Sequence, residues 1–518
     1  MPRDLQAEPI LPIADIQGDI LVGLPKNHEH LIFFRISDVP NFKAFLKELE
    51  ITSAQECLDK RAAIAANKAN HVETIIPTPG LNVAFTYAGL QELGAPVPAS
   101  VEKPTKENPD PGINTFHAGM AASSETLQDP DPHRWAILRP GQDLKPNPAL
   151  HGVFIVTGSS HAEVVDVISL RLVPAAANGW TAVHEEVGQV RPDPVRGHEH
   201  FGYADGVSQP GVRGRLDANT PFMSQLGEDE NQGQPGQDLL WPGEFLFGHE
   251  EQKFPAADFA EIGPVKAPPA PFMANGAFMV FRKLAQKVPE FNASVKQAAA
   301  AIPAGPDKPS ATLLGAQLVG RWKSGAPLEL TPTHDDPAFA EGTVRANDFE
   351  FGEDREGLKC PWGAHVRKTY PRDDVRHNLT PTPPEIGSSE AFTQTHRMLR
   401  RGIAFGSEVT EEEALQGQTK GNDARGLLFI SYITSLEDQF EFVQRAWCNT
   451  VDFSQQPISG IDAIIGQTPA GTARPFLGAA PFSSVAASKP PIANLNLFVE
   501  LRGGAYFFAP SIPAIKAF

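Results

Sequence analysis

The chain has 518 residues, more than one ordinary hydrophobic core accommodates, so its length alone indicates several domain-sized units. Hydrophobic residues make up 41% of it and charged residues 20%, a balance typical of folded globular proteins and not of disordered chains. The formal net charge of −18 argues against nucleic acid and anionic membrane surfaces as partners, so we expect small molecules or neutral polymers instead.

The three cysteines, Cys57, Cys360 and Cys448, are too few for a disulfide framework, although one disulfide bond stays open. A C-x-x-C-H attachment motif is absent, so any haem is expected to be bound without covalent links. No apolar run reaches the length of about eighteen residues that a membrane span needs. The first eight residues lack the apolar core of a signal peptide, which predicts either a cytoplasmic protein or a mature secreted form.

Short apolar runs followed by amphipathic stretches recur along the chain, and each pair predicts a strand leading into a helix. In the first half these pairs are residues 31–36 before 41–50, 81–86 before 89–93, and 153–157 before 161–172. In the second half they are residues 277–281 before 283–300, and 427–431 before 436–447. In the last helix, four apolar side chains recur at helical spacing, and Thr434 with Glu437 predicts a capping box at its start.

Strand–helix pairs in both halves predict an α+β protein with two domains. The stretch at 227–242 is rich in glycine, proline and polar residues, which is typical of a boundary. We therefore expect an N-terminal domain over residues 1–230 and a C-terminal domain over residues 231–518.

The segment Gly202-Tyr-Ala-Asp-Gly206 places a carboxylate between two glycines. Such a bracket lets the backbone turn sharply and approach a flat ligand while it directs Asp205 into a pocket. A common Asp-Gly turn is the competing interpretation. The preceding His198 and His200 lie on one face of an extended segment, so with Asp205 they also suggest the metal site of a hydrolase.

His365 follows small and apolar residues and precedes basic ones in the stretch 360–372. Neutral imidazole is a good axial ligand for haem iron, and neighbouring basic groups are able to pair with the haem propionates. A structural histidine is the alternative, because the chain contains 15 histidines.

Two other segments place charges among apolar residues. Arg400 and Arg401 are adjacent, and burying such a pair is costly unless an anion or a ligand meets it; the alternative is a surface pair. Asp462 lies between apolar residues in the stretch 460–466, where its carboxylate is able to orient a ligating histidine; the alternative is a turn or a helix cap.

The order of these segments resembles the dye-decolorizing peroxidase family, and its fungal branch most closely. The similar stretches are, in chain order, a G-x-x-D-G segment, an A-H-x-R-K histidine, an R-R-G segment and a Leu-Leu-Phe strand. Residues 15–21 and 320–327 are two further similar stretches. The resemblance spans residues 15 to about 510. It implies two ferredoxin-like α+β domains, each an antiparallel sheet with flanking helices, and non-covalently bound haem b in the C-terminal domain.

This resemblance implies a haem peroxidase that uses hydrogen peroxide to oxidise dyes, phenols and similar bulky aromatic small molecules. His365 is then the proximal ligand of the iron, and Asp462 is the carboxylate partner of that histidine. Asp205 is the distal acid and base, and Arg400 is the distal arginine that stabilises the developing charge.

Further roles follow from the same resemblance. Leu427 and Phe429 match the apolar residues that narrow the distal pocket. Arg367 and Arg401 are candidate propionate contacts, and Arg401 is also the fallback for the distal arginine. Trp447 matches a tryptophan that passes electrons at the surface, with core packing as its alternative.

Two other functions stay open at this point. One is the metal-dependent hydrolase that uses His198, His200 and Asp205. The other is a haem carrier or iron-releasing protein on the same fold. The physiological reductant, oxidation of Mn²⁺ and assembly into a homodimer are likewise left open by the sequence.

Overall fold

The structure is a computed structural model that describes residues 2–99, 113–138, 150–302, 308–374, 389–422, 424–454, 459–468, 472–476 and 493–518. Its strands are β1 (His28–Ile36), β2 (Gly80–Phe85), β3 (Gly152–Gly158), β4 (Trp180–Gln189), β5 (Gly211–Val212), β6 (Leu239–Leu240), β7 (Glu250–Gln252), β8 (Ile262–Val265), β9 (Ala277–Gln286), β10 (Leu399–Arg400), β11 (Ile403–Gly406), β12 (Arg425–Ile433), β13 (Pro475–Phe476), β14 (Ala493–Asn494) and β15 (Val499–Ala509). Its α-helices are α1 (Gly18–Leu21), α2 (Val39–Glu48), α3 (Ala54–Ala69), α4 (Tyr87–Glu92), α5 (Ile113–Ala118), α6 (His161–Val167), α7 (Val288–Ala301), α8 (Ala311–Val319), α9 (His365–Thr369), α10 (Ser389–Gln394), α11 (Glu411–Gln416) and α12 (Ile512–Ala517).

The first four strands form an antiparallel sheet in the order β2-β3-β1-β4. Helix α2 follows β1, and α6 follows β3, so the chain runs through a β-α-β-β-α-β pattern. This strand order and pattern define a ferredoxin-like unit.

The second half repeats this arrangement with β9, β11, β12 and β15. These strands are antiparallel in the order β15-β9-β12-β11, with α7 after β9 and π-helical turns at Leu436–Glu441 and Val443–Cys448 between β12 and β15. The predicted α+β fold with two ferredoxin-like domains is therefore confirmed. The division at residues 230 and 231 falls between the two units and stays a prediction.

The two sheets meet at both of their edges. Strand β15 pairs with β2 where Phe508 lies opposite Phe85. At the other edge β4 packs closely on β11, because a Cβ added to Gly188 would lie 2.2 Å from Cγ2 of Ile403. The two sheets are thereby hydrogen-bonded to each other at one edge and packed against each other at the other.

Strand β1 is buried on both of its faces. Leu31 and Phe33 belong to one hydrophobic cluster, whereas Ile32 and Phe34 belong to another, as the two-residue period of a strand requires. Full burial of each such side chain contributes about 1.5–3 kcal/mol, so the strand is anchored from both sides. This is why its central stretch, Leu31 to Phe34, is continuously apolar and does not alternate.

The start of one predicted helix and the capping residue of another differ from the structure. Strand β9 continues through Lys283, whose Nζ reaches the carboxylate of Glu186 at 2.8 Å, so the following helix begins only at Val288. The last predicted helix is capped by Ser435, because the hydroxyl of Thr434 already donates to a main-chain carbonyl at 2.6 Å.

All three cysteines are buried free thiols, so the disulfide left open by the sequence is not formed. Within the described ranges, none of the helices combines the length and the apolar character that crossing a bilayer demands.

Candidate active site

A cavity lies against the second sheet, and five of the predicted site residues line it: Asp205, His365, Arg400, Leu427 and Phe429. These residues come from four separate segments of the chain. The structure thus brings the principal predicted site residues to one place, and Asp462 stands directly behind His365.

Asp205 lies in the loop that follows β4. Gly202 and Gly206 have φ angles of +95° and +74°, a left-handed conformation that glycine adopts without steric cost. The half-buried carboxylate of Glu199 accepts two main-chain N–H groups of this loop at 2.7 and 2.9 Å. The glycines therefore permit the turn, and Glu199 fixes it with Asp205 facing the cavity.

Arg400 ends β10, which pairs with the same strand, β12, as β11 does. Its Nη1 lies 3.5 Å from Oδ1 of Asp205, and its Nη2 donates to the carbonyl of Ser208 at 2.8 Å. The side chains of Arg400 and Asp205 are 33% and 36% exposed, so a small molecule in the cavity can reach both.

Gln209 is a structural residue that the sequence analysis missed. Its side-chain amide accepts from the main-chain N–H of Arg400 and donates to the carbonyl of the same residue, both at 3.1 Å. This double contact ties the loop of Asp205 to β10. The sequence signal was weak, because an isolated glutamine gives no indication of its partner.

His365, which also lines the cavity, begins α9 and faces Asp462. Nδ1 of the imidazole lies 2.8 Å from Oδ2 of the carboxylate, whose other oxygen accepts two main-chain N–H groups at 2.8 Å each. Because Nδ1–H donates to the carboxylate, Nε2 of the neutral ring keeps its lone pair for a ligand in the cavity.

The ionisation of this pair reflects burial opposed by mutual attraction. Burial alone would lower the pKa of His365, but the charge and the hydrogen bond of Asp462 outweigh burial and raise it. Burial alone would raise the pKa of Asp462, but His365 and the main-chain donors outweigh burial and lower it. The carboxylate therefore stays ionised and makes the imidazole a stronger electron donor.

Leu427 and Phe429 are two residues apart on β12, so both side chains leave the same face of the strand and reach the cavity. Leu428 between them is fully buried on the other face. The predicted apolar wall thus follows from the period of the strand.

Three buried arginines that line the cavity were not assigned from the sequence, and one of them, Arg282, pairs with Asp129. Arg321 donates to carbonyl oxygens only, and Arg397 donates to the amide oxygen of Gln394. Among the described residues neither has a carboxylate partner, and burial followed by repulsion from Arg372 lowers the pKa of Arg321 to about 9. Buried cations without anions fit a ligand that brings carboxylates, as haem b does with its two propionates.

Arg367 and Arg401, the arginines expected at the propionates, are placed elsewhere. Arg367 is fully buried and pairs with Asp354 at 3.0 Å and Asp374 at 2.7 Å. Arg401 donates to three main-chain carbonyls of α1, at 2.8 to 3.1 Å. Neither lines the cavity in the described residues, so the expectation is corrected: both guanidinium groups are occupied by internal partners.

Trp447 also differs from its expected position. Its side chain is 2% exposed and stacks on Phe453, with the ring centroids 5.1 Å apart. His396, which lines the cavity, contacts the same tryptophan edge-on at 5.2 Å. Trp447 is therefore a core residue behind the cavity and not a surface residue.

The predicted metal site is not assembled. His198 is held by a main-chain carbonyl at 3.0 Å, and His200 is buried with its Nε2 2.9 Å from the carbonyl of Phe405. Across the described residues, no group of three or more histidine, cysteine, aspartate or glutamate side chains is arranged to hold a metal ion. The geometry gives no support to a metal-dependent hydrolase.

Comparison with known proteins gives a consistent result. The profile of the DyP dimeric alpha+beta barrel domain matches residues 15–192. The dye-decolorizing peroxidase msp1 of Mycetinis scorodonius is 34% identical over 98% of this chain and 87% of its own length. An ancestral D-type dye decolorizing peroxidase has a similar structure, with a TM-score of 0.77 and 35% identity over 98% of this chain and 99% of that one. The structure of a dye-decolorizing peroxidase in complex with 2,6-dimethoxyphenol is also similar, with a TM-score of 0.73 and 32% identity over 98% of this chain and 99% of that one.

Proposed function

Because the chain belongs to the dye-decolorizing peroxidases, which are haem enzymes, we propose that its cavity binds haem b non-covalently between His365 and the Asp205–Arg400 pair. The observation that carries this proposal is the arrangement of these groups. An imidazole backed by a buried carboxylate faces one side of a cavity, and a carboxylate paired with a guanidinium lines the same cavity.

The residues present fit this cofactor. His365 would hold the iron through Nε2, and the buried guanidinium groups of Arg321 and Arg397 would meet the propionates. When bound, haem b supplies the redox centre at which hydrogen peroxide is reduced. The apolar side chains of Leu427 and Phe429 would restrict the cavity beside it to small molecules.

Each polar side chain has a definable task in peroxide cleavage. Hydrogen peroxide must lose a proton from one oxygen and gain a proton on the other before its O–O bond breaks. Asp205 would accept the first proton and return it to the leaving oxygen, while Arg400 stabilises the negative charge that develops there. Asp462 acts through His365 by keeping the imidazole electron-rich.

We propose small aromatic reductants, phenols and dyes, as the electron donors. A similar structure contains 2,6-dimethoxyphenol, which is the kind of electron-rich ring that such an enzyme oxidises. Bulky dyes would not pass the apolar wall, so they would be oxidised from outside the cavity. A homodimer and a secreted or cytoplasmic location stay predictions, and the oxidation of Mn²⁺ stays open.

An absorption spectrum of the purified protein, recorded before and after one equivalent of hydrogen peroxide, tests this proposal. We expect a strong Soret band that shifts on addition of peroxide and returns when a phenol is added. A protein without a Soret band after reconstitution with haem b would contradict the cofactor. A Soret band that peroxide leaves unchanged would indicate a haem carrier instead.

Replacing Arg400 with leucine should slow the reaction with peroxide by roughly 10²–10³-fold, the effect of removing one preorganised donor from a developing negative charge. Stopped-flow absorption with increasing peroxide measures this rate constant directly. Arg400→Lys keeps the charge but not the forked geometry, so it should recover part of the rate. Equal rate constants for wild type and Arg400→Leu would exclude the assigned role.

A further inference from the structure

Tyr370 combines two properties that the other tyrosines of this chain do not share. Of the five tyrosines, all of which lie in the described ranges, two line the cavity: Tyr203 and Tyr370. Three donate their phenolic hydroxyl to a carboxylate: Tyr370 to Asp238 at 2.6 Å, Tyr432 to Asp19 at 3.0 Å and Tyr506 to Glu441 at 2.7 Å. Only Tyr370 has both a place at the cavity and a carboxylate acceptor, and none of the six tryptophans lines the cavity.

Asp238, which accepts this hydroxyl, is held in place by further hydrogen bonds. Asp238 is 1% exposed, and its Oδ2 receives both the hydroxyl of Tyr370 and the side-chain amide of Gln394. The other carboxylate oxygen accepts from Gln232 at 3.2 Å. The phenolic proton therefore has a fixed partner, held at hydrogen-bond distance before any reaction begins.

Two guanidinium groups lie against the aromatic ring of Tyr370. The Cζ atom of Arg397 is 3.4 Å from the ring centroid, and that of Arg372 is 4.6 Å away. Both cations disfavour a positive charge on the ring. Burial raises the pKa of the phenol, so the hydroxyl remains protonated in the resting protein despite these cations.

These contacts define how the ring can be oxidised. Removal of one electron from a phenol makes its proton strongly acidic, and the two neighbouring cations increase that tendency further. The carboxylate of Asp238 offers the proton a destination 2.6 Å away, so the electron and the proton can leave together. The product would be a neutral tyrosyl radical, which carries no charge to conflict with Arg372 and Arg397.

We propose that Tyr370 is a redox-active residue that gives one electron to the peroxide-oxidised enzyme while its phenolic proton moves to Oδ2 of Asp238. The O–H bond of the phenol breaks, an O–H bond forms on the carboxylate, and the oxidised centre is reduced by one electron. Hydrogen peroxide is the oxidant, as in the activity of the family. The reverse transfer occurs when an aromatic reductant supplies an electron and Asp238 returns the proton.

This inference rests on the proposed function, because the oxidant is generated only if the cavity holds the haem. It extends that function by storing one oxidising equivalent on the protein next to the cavity. Asp238 is a positioning residue here, since it acts only through the hydroxyl of Tyr370.

Electron paramagnetic resonance of the holoenzyme, freeze-quenched after one equivalent of hydrogen peroxide, tests the proposal. We expect a tyrosyl signal in the wild type, identified by its narrowing when the protein contains ring-deuterated tyrosine. Tyr370→Phe should abolish this signal. Asp238→Asn cannot accept the proton, so the tyrosyl signal should form roughly 10²-fold more slowly. This is the lower end of the range of effects seen when a positioned base is removed.

Two matched variants separate the two properties. Tyr203→Phe removes a tyrosine that lines the cavity without a carboxylate partner, and Tyr506→Phe removes one that has such a partner away from the cavity. Both should keep the signal. Should Tyr370→Phe fail to fold, 3,5-difluorotyrosine inserted at position 370 must add fluorine splitting to the wild-type signal.

The absorption spectrum of the same samples distinguishes a failure of the redox role of Tyr370 from a failure of the proposed peroxidase function. A signal that persists in Tyr370→Phe, that lacks fluorine splitting or that never forms, while peroxide still changes the haem spectrum, would overturn this inference and leave the proposed function intact. An unchanged haem spectrum would instead count against the proposed function, and the inference would fall with it.

Discussion

Replacing Asp205 with asparagine should lower peroxidase turnover by roughly 10²–10⁴-fold while haem content stays unchanged. The amide has nearly the same shape as the carboxylate, but it cannot accept and return a proton. The lost rate should appear in the reaction with peroxide, because Asp205 lies beside Arg400 at the cavity and is the group proposed to move the proton in that step. Stopped-flow absorption separates this step from the later oxidation of a phenol.

Glu341 offers a matched control for this experiment. It is another carboxylate near the same loop, with Oε1 3.6 Å from a Cβ added to Gly197, but it does not line the cavity. Glu341→Gln should therefore leave the rate with peroxide close to that of the wild type. If Asp205→Asn turned over normally, or if both variants lost activity equally, the proton transfer would have to be assigned to another group.

The sequence indicated several of the segments that line this cavity because they carry a local pattern. The glycines at 202 and 206 are needed for a left-handed backbone, and the spacing of Leu427 and Phe429 follows the period of a strand. Strand–helix pairs in both halves predict an α+β protein with two domains, whereas the ferredoxin-like topology is what the family resemblance implies. The glycine positions, the strand period and the strand–helix pairs are encoded by neighbours in the chain, which a sequence makes visible.

The positions of the arginines could not be predicted in the same way. The local sequence around Arg321, Arg367 and Arg401 does not identify their partners. Only the tertiary structure decides which of them meets an internal carboxylate or carbonyl and which faces the cavity. The partner of Arg401 is the carbonyl end of α1, about 380 residues earlier in the chain. Long-range pairing of this kind leaves no trace in local composition.

The predicted helix cap at Thr434 and the predicted surface position of Trp447 were wrong for the same reason, because contacts between distant parts of the chain decide both. Thr434 and Ser435 are equally good caps by type, but the hydroxyl of Thr434 is taken by the carbonyl of Gly243, which is distant in sequence. Trp447 has the spacing of an apolar helix face, and a stack on Phe453 puts it in the core. Whether an aromatic residue reaches the surface depends on what packs over it.

Replacing His365 with alanine should remove haem from the purified protein and abolish its turnover. The substitution deletes the imidazole that faces the cavity and leaves Asp462 buried without the partner that lowers its pKa. Leaving a buried carboxylate without this hydrogen-bond donor costs about 1–3 kcal/mol, so the apoprotein should also unfold at a lower denaturant concentration. Haem content from the absorption spectrum and urea unfolding of the apoprotein measure the two effects separately.

Added imidazole distinguishes a lost ligand from a damaged fold. In His365→Ala it can occupy the space of the deleted ring, donate one N–H group to Asp462 and offer its other nitrogen to the iron, so haem binding should return. In His365→Ala with Asp462→Ala the carboxylate that orients imidazole is gone, and restoration should be weaker by roughly 10–100-fold, the usual effect of such a partner. His396→Ala removes another histidine that lines the same cavity, and because its Nδ1 is held by a main-chain carbonyl and not by a carboxylate, this variant should keep its haem. Loss of haem in His396→Ala together with full retention in His365→Ala would reassign the iron ligand and, with it, the face of the cavity on which peroxide reacts.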